Sequence, residues 1–360
     1  MEVVFLPEGG RVMTIKEIAK MAGVSSAAIS RYLNGGYVSE EKREQIRKVI
    51  EETGYQPSIQ ARMLRTKRAC LVGVVVPKIN SETISRVTAG IGQVLSARGY
   101  QMLLASTDNT ASKEIDYLKL FERYPVDGII LIGTMITAEH RRFLKESKVP
   151  VVVIGQYTKY ANCIYHDDYG AGKALGRIVG AAAKGKVAYI GVTRDDKAAG
   201  AAREDGFRAG LKSMGVELDS EYVRTVDFTT AAGCEAAQDL IEEKDDIDII
   251  SCATDTIAAG AVEAIMGYQN RTGKVEAQRS EDGFGSRLGK RGIRVSGFGD
   301  NELLKAVTGG FPSVHYGYKT SGIRGAELLL DVVERGEKIP VEIKLGYRLV
   351  NCEAEEDSLE

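Results

Sequence analysis

An all-α helix-turn-helix headpiece followed by a larger α/β core, two-lobed and built on parallel sheets, is the architecture this sequence predicts. Three observations carry it. Thr14 to Asn34 spell two short amphipathic helices around Gly23, apolar runs alternate with amphipathic stretches from Leu71 onward, and charge is segregated between these two parts.

The first helix shows in Ile15, Ile18, Ala19 and Ala22, which recur at the i, i+3, i+4, i+7 spacing of one buried face. Gly23 breaks that run. Ser25 is placed to cap a second helix whose Ile29 and Leu33 point inward, with Val24 at its entry. Ser26, Ala27, Ser30, Arg31 and Asn34 fall on the opposite face. A polar face bearing one arginine, on a helix anchored by its other side, is suited to a DNA major groove. After a loop of Gly35, Gly36 and Tyr37, Val38 and Ser39 read as staple and cap of a third helix from Glu40 to Thr53, closed by Gly54. Pro57 fits a first helical turn, and Ser58 to Arg65 is under three turns, too short to be stably helical alone in water. It is expected to fold when docked.

From Leu71 the pattern becomes strand, helix, strand: LVGVVVP, SRVTAGIGQVLSARG, YQMLLAS, KEIDYLKLFERY, GIILIG, RRFLKES and PVVVIG. Such alternation predicts a parallel sheet. A second series starts after Tyr165 and runs to RVSGFGD, and the helix TSGIRGAELLLDVVERG and the strand-like KLGYRLVN complete two lobes. Lobes joined by crossovers make a hinged cleft, a usual place for a small ligand. The polar, glycine-rich stretch from Gly267 to Gly292 reads as an exposed mobile insertion. The predicted divisions are 1–12, an N-terminal extension; 13–56, the headpiece; 57–68, a hinge helix and linker; 69–351, the two-lobed core; and 352–360, an acidic tail.

Composition narrows the class. A chain of 360 residues, 44% apolar and 27% charged, is ordinary for a globular protein. Residues 13–68 hold 11 Lys/Arg against 6 Asp/Glu, while residues 69–360 hold 36 against 42. A basic end on an acidic body favours contact with phosphates through that end only. Five scattered cysteines without a Cys-x-x-Cys pair argue for a reducing cytoplasm and against zinc. No apolar run approaches the ~20 residues of a membrane span, and no signal-peptide pattern opens the chain. An enzyme is not expected: YGAGKALG lacks the first glycine of a phosphate loop and has Ala174 where magnesium needs Ser or Thr, and His140, His166 and His315 are widely separated. No metal or cofactor is expected either.

With the headpiece pattern, the Tyr55-Gln-Pro-Ser-Ile-Gln-Ala-Arg-Met-Leu-Arg65 segment and the two α/β series on the page, the chain resembles the LacI/GalR (lactose/galactose repressor) family from Met13 to about Asn351. The resemblance implies a periplasmic-binding-protein-like core, crossovers near Tyr165, Val314 and Leu345, and a homodimeric repressor of a pseudo-palindromic operator. The PKINSE, GVTRDDKA and VHYGYKTSG stretches look most like members that act near sucrose-utilisation genes. Because the tail carries no leucine heptads, a dimer without a tetramerising helix is expected.

Base readout is expected from Ser26, Ala27 and Arg31, the arginine fork suiting guanine and the alanine methyl suiting thymine. Thr14, Ser25, Ser30 and Asn34 are short donors for phosphates. Tyr37 reads either as a further base contact or as packing, and Tyr55 either as a backbone contact or as packing. By resemblance, Ala61 and Leu64, in the segment opened by Ser58, meet at the operator centre, where paired leucines wedge into the minor groove. In the core the resemblance implies effector-binding roles for Arg203, Phe228, Thr254, Asp255 and Asp300 on one lobe and for Ser81, Thr83 and Gln156 on the other. Members often carry Asp at the position of Gly299, which leaves the exact acceptor there open. The implied effector is a small sugar. A nucleobase or nucleoside corepressor is the alternative, and a sugar-binding transport protein would have no use for residues 13–65.

Overall fold

The computed structural model describes residues 13–33, 36–55, 68–270, 278–279, 284–288, 291–336 and 339–352. It divides into two compact units, Met1–Ala69 and Cys70–Glu360.

The first unit holds α1 (Ile15–Met21), α2 (Ser26–Leu33) and α3 (Glu40–Thr53). A capping box opens α1: Glu17 N–H donates to the Thr14 hydroxyl at 3.4 Å, and the Thr14 amide donates to the Glu17 carboxylate at 2.7 Å. Gly23 makes the turn at φ +64°, and the Ser25 hydroxyl then accepts from Ala28 N–H at 3.2 Å. Ser39 precedes α3 without a side-chain cap bond, and Gly54 ends it in the left-handed region. Ile18, Ala19, Ala22, Ile29, Val38 and Ile46 form the core together with Tyr55. At 8% exposure Tyr55 packs as a ring of this core.

The second unit contains two six-stranded sheets. In one lobe the order is β13-β5-β4-β3-β1-β2, all parallel, with β1 (Leu71–Val76), β2 (Gln101–Ser106), β3 (Gly128–Ile132), β4 (Val151–Ile154), β5 (Asn162–His166) and β13 (Glu342–Leu345). Helices α4 (Glu82–Ala97), α5 (Ala111–Arg123) and α6 (Ala138–Glu146) connect its strands. The other lobe runs β14-β12-β11-β8-β6-β7, where β6 (Lys186–Gly191), β7 (Val223–Thr225), β8 (Ile247–Cys252), β11 (Arg294–Phe298) and β12 (Ser313–Tyr316) are parallel and β14 (Tyr347–Val350) is antiparallel at the edge. Its helices are α7 (Asp168–Ala182), α8 (Arg203–Ser213), α9 (Thr230–Glu243), α10 (Asp255–Asn270) and α11 (Glu302–Thr308), while α12 (Tyr318–Arg335) returns to pack on the first lobe. The chain crosses between lobes at Asp167, Gly317 and Gly346. YGAGKALG lies in α7, as a helix start rather than a phosphate loop.

The expectation of a mobile insertion fails in its second half. Phe284, Ser286 and Leu288 are buried, Phe284 bridges to Cys352, and Ser286–Arg287 forms β10 against β9 (Gln278–Arg279). The reason lies below it: the fully buried Arg294 guanidinium stacks over Phe284 at 5.5 Å and bonds Asp248 at 2.7 Å and the Ala182 carbonyl at 2.8 Å. An apolar ring covers a buried ion pair, so the glycine-rich composition hides an anchored segment.

Candidate ligand cleft and nucleic-acid surface

In both sheets the strand order reverses beside the first strand of the series, between β1 and β3 and between β6 and β8. Loops leaving the carboxyl ends of those strands diverge there and leave a crevice. The facing crevices join into a cavity of about 340 Å³. Ser81 and Thr83 reach it from the start of α4, Gln156 from the end of β4, Arg203 from the start of α8, Phe228 after β7, and Thr254 and Asp255 after β8. Seven of the eight residues assigned to the cleft from sequence therefore converge on one space.

Asp300 does not. Its φ is +55°, and its carboxylate faces away, to His315 Nδ1 at 2.6 Å and Lys305 Nζ at 2.7 Å. Burial raises its pKa, but the bonds from Lys305 and His315 outweigh that and hold the carboxyl below its ordinary range. Gly299 and Asn301 line the cavity instead. Gly299 sits at φ +149°, and a Cβ there would come within 2.9 Å of the Asp255 carboxylate. No aspartate fits at 299 here, because Asp255 already occupies that space.

Arg203 is the cleft's fixed cation. A π-helical turn (Lys197–Ala202), capped by Asp196 through Ala198 and Ala199 N–H at 3.0 and 2.9 Å, sets it at the start of α8. Its Nε donates to Asp168 at 2.7 Å and Nη1 to the Ala253 carbonyl at 2.7 Å, while Phe298 and Tyr316 lie against its plane at 5.0 and 5.1 Å. Nη2 has no hydrogen bond among the described residues. A planar fork held on two sides leaves one donor edge for a ligand hydroxyl.

Close packing of α7 on α8 fixes where that fork stands. Gly172 and Gly206 leave so little room that an added Cβ would lie 2.3 Å from the Arg203 carbonyl or 2.1 Å from the Tyr169 carbonyl. His166, at the crossover, stacks on Tyr316 with centroids 4.7 Å apart, and burial pushes its pKa down to about 4, so the ring is neutral.

The lobes are joined across the cleft by a set of polar bonds. Gln156 Nε2 donates to Asp196 at 2.8 Å, Lys78 Nζ to the Phe228 carbonyl at 2.8 Å, and Arg86 to the carbonyls of Gly299 and Asp300 at 3.1 and 3.0 Å. Asn301 Nδ2 also donates to Glu82. Sequence reasoning missed Lys78, Asp168, Asp196 and Asn301. Beside Asp168, Asp167 caps α7, accepting from Gly170 N–H at 3.2 Å.

Asp255 gives a pH prediction. Burial raises its pKa to about 7, against the opposing bonds from Asn301 N–H at 2.8 Å and the Ser313 hydroxyl at 3.0 Å. Its folded value lies above the ordinary 3.8, so the folded state holds the proton more tightly. That stability is fully present below 3.8 and is lost as pH rises through about 7. Asp255→Asn removes the titration, so the variant's Tm relative to wild type should be more favourable at pH 8 than at pH 5. A Tm difference that is the same at both would show that Asp255 does not titrate in this range.

On the headpiece Ala27 and Arg31 are exposed on α2, with Ser26 and Ser30 half-buried beside them. Thr14 and Ser25 both serve as caps, and Tyr37 is 86% exposed. Asn34, Ser58, Ala61 and Leu64 lie outside the described residues.

Residues 14–58 match the family described as bacterial regulatory proteins, lacI family, and residues 69–292 match periplasmic binding proteins and sugar binding domain of LacI family. The chain belongs to the LacI family. The sucrose operon repressor of Staphylococcus xylosus is 31% identical to it over 323 residues, covering 89% of this chain and 93% of that protein. Catabolite control protein A of Priestia megaterium is 30% identical over 263 residues, 72% of this chain and 78% of that one. A crystal structure of the Lac repressor dimer bound to operator and the anti-inducer ONPF shares the fold, with a TM-score of 0.76 and 18% identity over 94% of this chain and 98% of the other. These LacI-family relatives are transcriptional regulators rather than enzymes. Among the described residues no helix is long and apolar enough to cross a membrane, and no cluster of His, Cys, Asp or Glu is arranged to hold a metal.

Proposed function

We propose that this LacI-family regulator is a homodimeric repressor that binds a pseudo-palindromic operator, with a small sugar as its effector. The observation that carries the reading is the cleft: a fixed guanidinium with one free donor edge, an aromatic residue at Phe228, and polar groups from both lobes around a space of about 340 Å³. Vicinal hydroxyls match a guanidinium edge, and a pyranose face matches an aromatic ring. Names among the relatives support the class, since the sucrose operon repressor and a regulator solved with cellobiose are both similar chains.

Homodimerisation is supported by exposed apolar side chains in two places. Met102, Leu103 and Leu104 stand exposed on the edge strand β2, and Leu303 and Val307 on α11 are 77% and 63% exposed. Apolar side chains exposed on an edge strand and along a helix are open to burial against a second copy of the chain. The linked mechanism is a shift in lobe arrangement, since an effector that binds one arrangement better biases the population that DNA also selects.

A thermal-shift screen of the full chain against sugars, sugar phosphates and nucleosides tests the effector class, followed by operator titration with each hit. Stabilisation by nucleosides alone would replace the sugar reading with the corepressor one. At the DNA end, Arg31→Ala should relax sequence preference, because it removes a bidentate base contact worth roughly 1 to 3 kcal/mol. Binding to a panel of operator variants measures this, and unchanged discrimination would remove Arg31 from base readout.

A further inference from the structure

We propose that the crevice between the lobes contains a second ligand site, distinct from the cleft around Arg203, that takes a hexose carrying one anionic group. It is a cavity of about 530 Å³ beside the crossovers, roofed by the segment after β4, the β5–α7 corner and the π-helical turn. The wall between the two cavities consists of Gln156, His166, Asp168, Gly155 and Ala198, which line both. The Gln156–Asp196 bond spans the lobes at that wall.

Charge separates this cavity from the cleft. Arg141, Lys159 and Lys197 line it, and none has a carboxylate partner among the described residues. Of the acids lining it, Asp167 is paired with Lys344 at 2.9 Å and Asp168 with Arg203, which leaves Asp195 alone to offset three cations. In the cleft, by contrast, the Arg203 charge is met by Asp168, and the remaining cation, Lys78, shares the lining with Glu82, Asp196 and Asp255. An excess of cations in a recess selects an anionic group.

The remaining lining suits a ring. Tyr157 and Tyr165 meet edge to face at 5.5 Å, with Tyr157 about half exposed, so aromatic surface stands open beside the cations. His166, which lines both cavities, is buried, and its Nε2 has no hydrogen-bond partner among the described residues.

Calorimetry on the full chain tests the site, with glucose 6-phosphate and glucuronate as probes and with glucose and inorganic phosphate as controls. Comparing the two probes distinguishes a phosphate from a carboxylate as the anionic group. At least one probe should bind, and the Lys159→Glu/Lys197→Glu double variant should weaken it by about tenfold or more. Tyr157→Ala, which leaves charge untouched, should weaken it too. Phe228→Ala, a lesion in the cleft, should leave it within about threefold, and each control should bind at least about tenfold more weakly than the better probe. Melting temperatures of the variants check that they fold. The proposal is overturned if neither probe binds at about 10 mM, if Phe228→Ala abolishes binding while charge reversal does not, or if inorganic phosphate alone binds as well as the sugars.

Discussion

Arg203→Ala is expected to abolish measurable effector binding while leaving the helix-turn-helix headpiece untouched. Hydrogen bonds to a charged group contribute about 1.5 to 3 kcal/mol each, so losing two from a micromolar sugar site weakens it by about a hundredfold or more. The structure adds a second consequence. Arg203 Nε is bonded to buried Asp168 at 2.7 Å, and without it that carboxylate keeps, among the described residues, only the Tyr316 hydroxyl at 3.0 Å. Breaking a buried pair by removing one partner typically costs about 3 to 5 kcal/mol. The single variant therefore confounds lost recognition with lost stability. Arg203→Ala/Asp168→Asn separates them, because a neutral amide leaves no uncompensated charge. Stability should recover substantially in the double variant, and effector affinity should not. For an inducer, both variants bind operator and fail to release it; for a corepressor, both fail to gain operator affinity. Wild-type ligand affinity in either variant would remove Arg203 from the site.

What the sequence made legible follows from which signals are local. Periodicity and caps are local, so α1 to α3 and the turn at Gly23 were readable from Thr14 to Gly54, as were strands whose both faces are buried, such as Gly128–Ile132. Cleft residues were readable by resemblance where they open a helix, as Arg203 and Asp255 do. Partnerships across long separations were not: Asp168 meets Arg203 across 35 residues, and Lys78 meets the Phe228 carbonyl across 150. Asp300 misled for a related reason. Its position in GFGDNEL fits a strand-end acceptor, but the left-handed backbone at Asp300 aims the carboxylate at Lys305 and His315, and neither contact shows in a one-dimensional pattern. The buried Phe284 segment was hidden likewise, because its anchor Arg294 lies on a separate strand.

Gly206→Ala should damage the cleft without touching any residue that lines it. An added Cβ would stand 2.1 Å from the Tyr169 carbonyl and 2.9 Å from Lys173 N, both backbone atoms of α7 that no rotamer change can move aside. Helices α7 and α8 must separate, and Arg203 and Asp168 sit at the leading ends of these two helices. Overpacking of a close interior usually costs about 1 to 3 kcal/mol, and a clash with backbone on both neighbours belongs at or above the top of that range. The same displacement shifts the guanidinium, so effector affinity should fall together with Tm. Gly92→Ala supplies the contrast, since its Cβ would meet nothing within 4 Å in the middle of α4. There the substitution should stabilise by up to about 1 kcal/mol through helix propensity, with affinity unchanged. Equal Tm and affinity for the two variants would show that the α7–α8 contact does not set the position of Arg203.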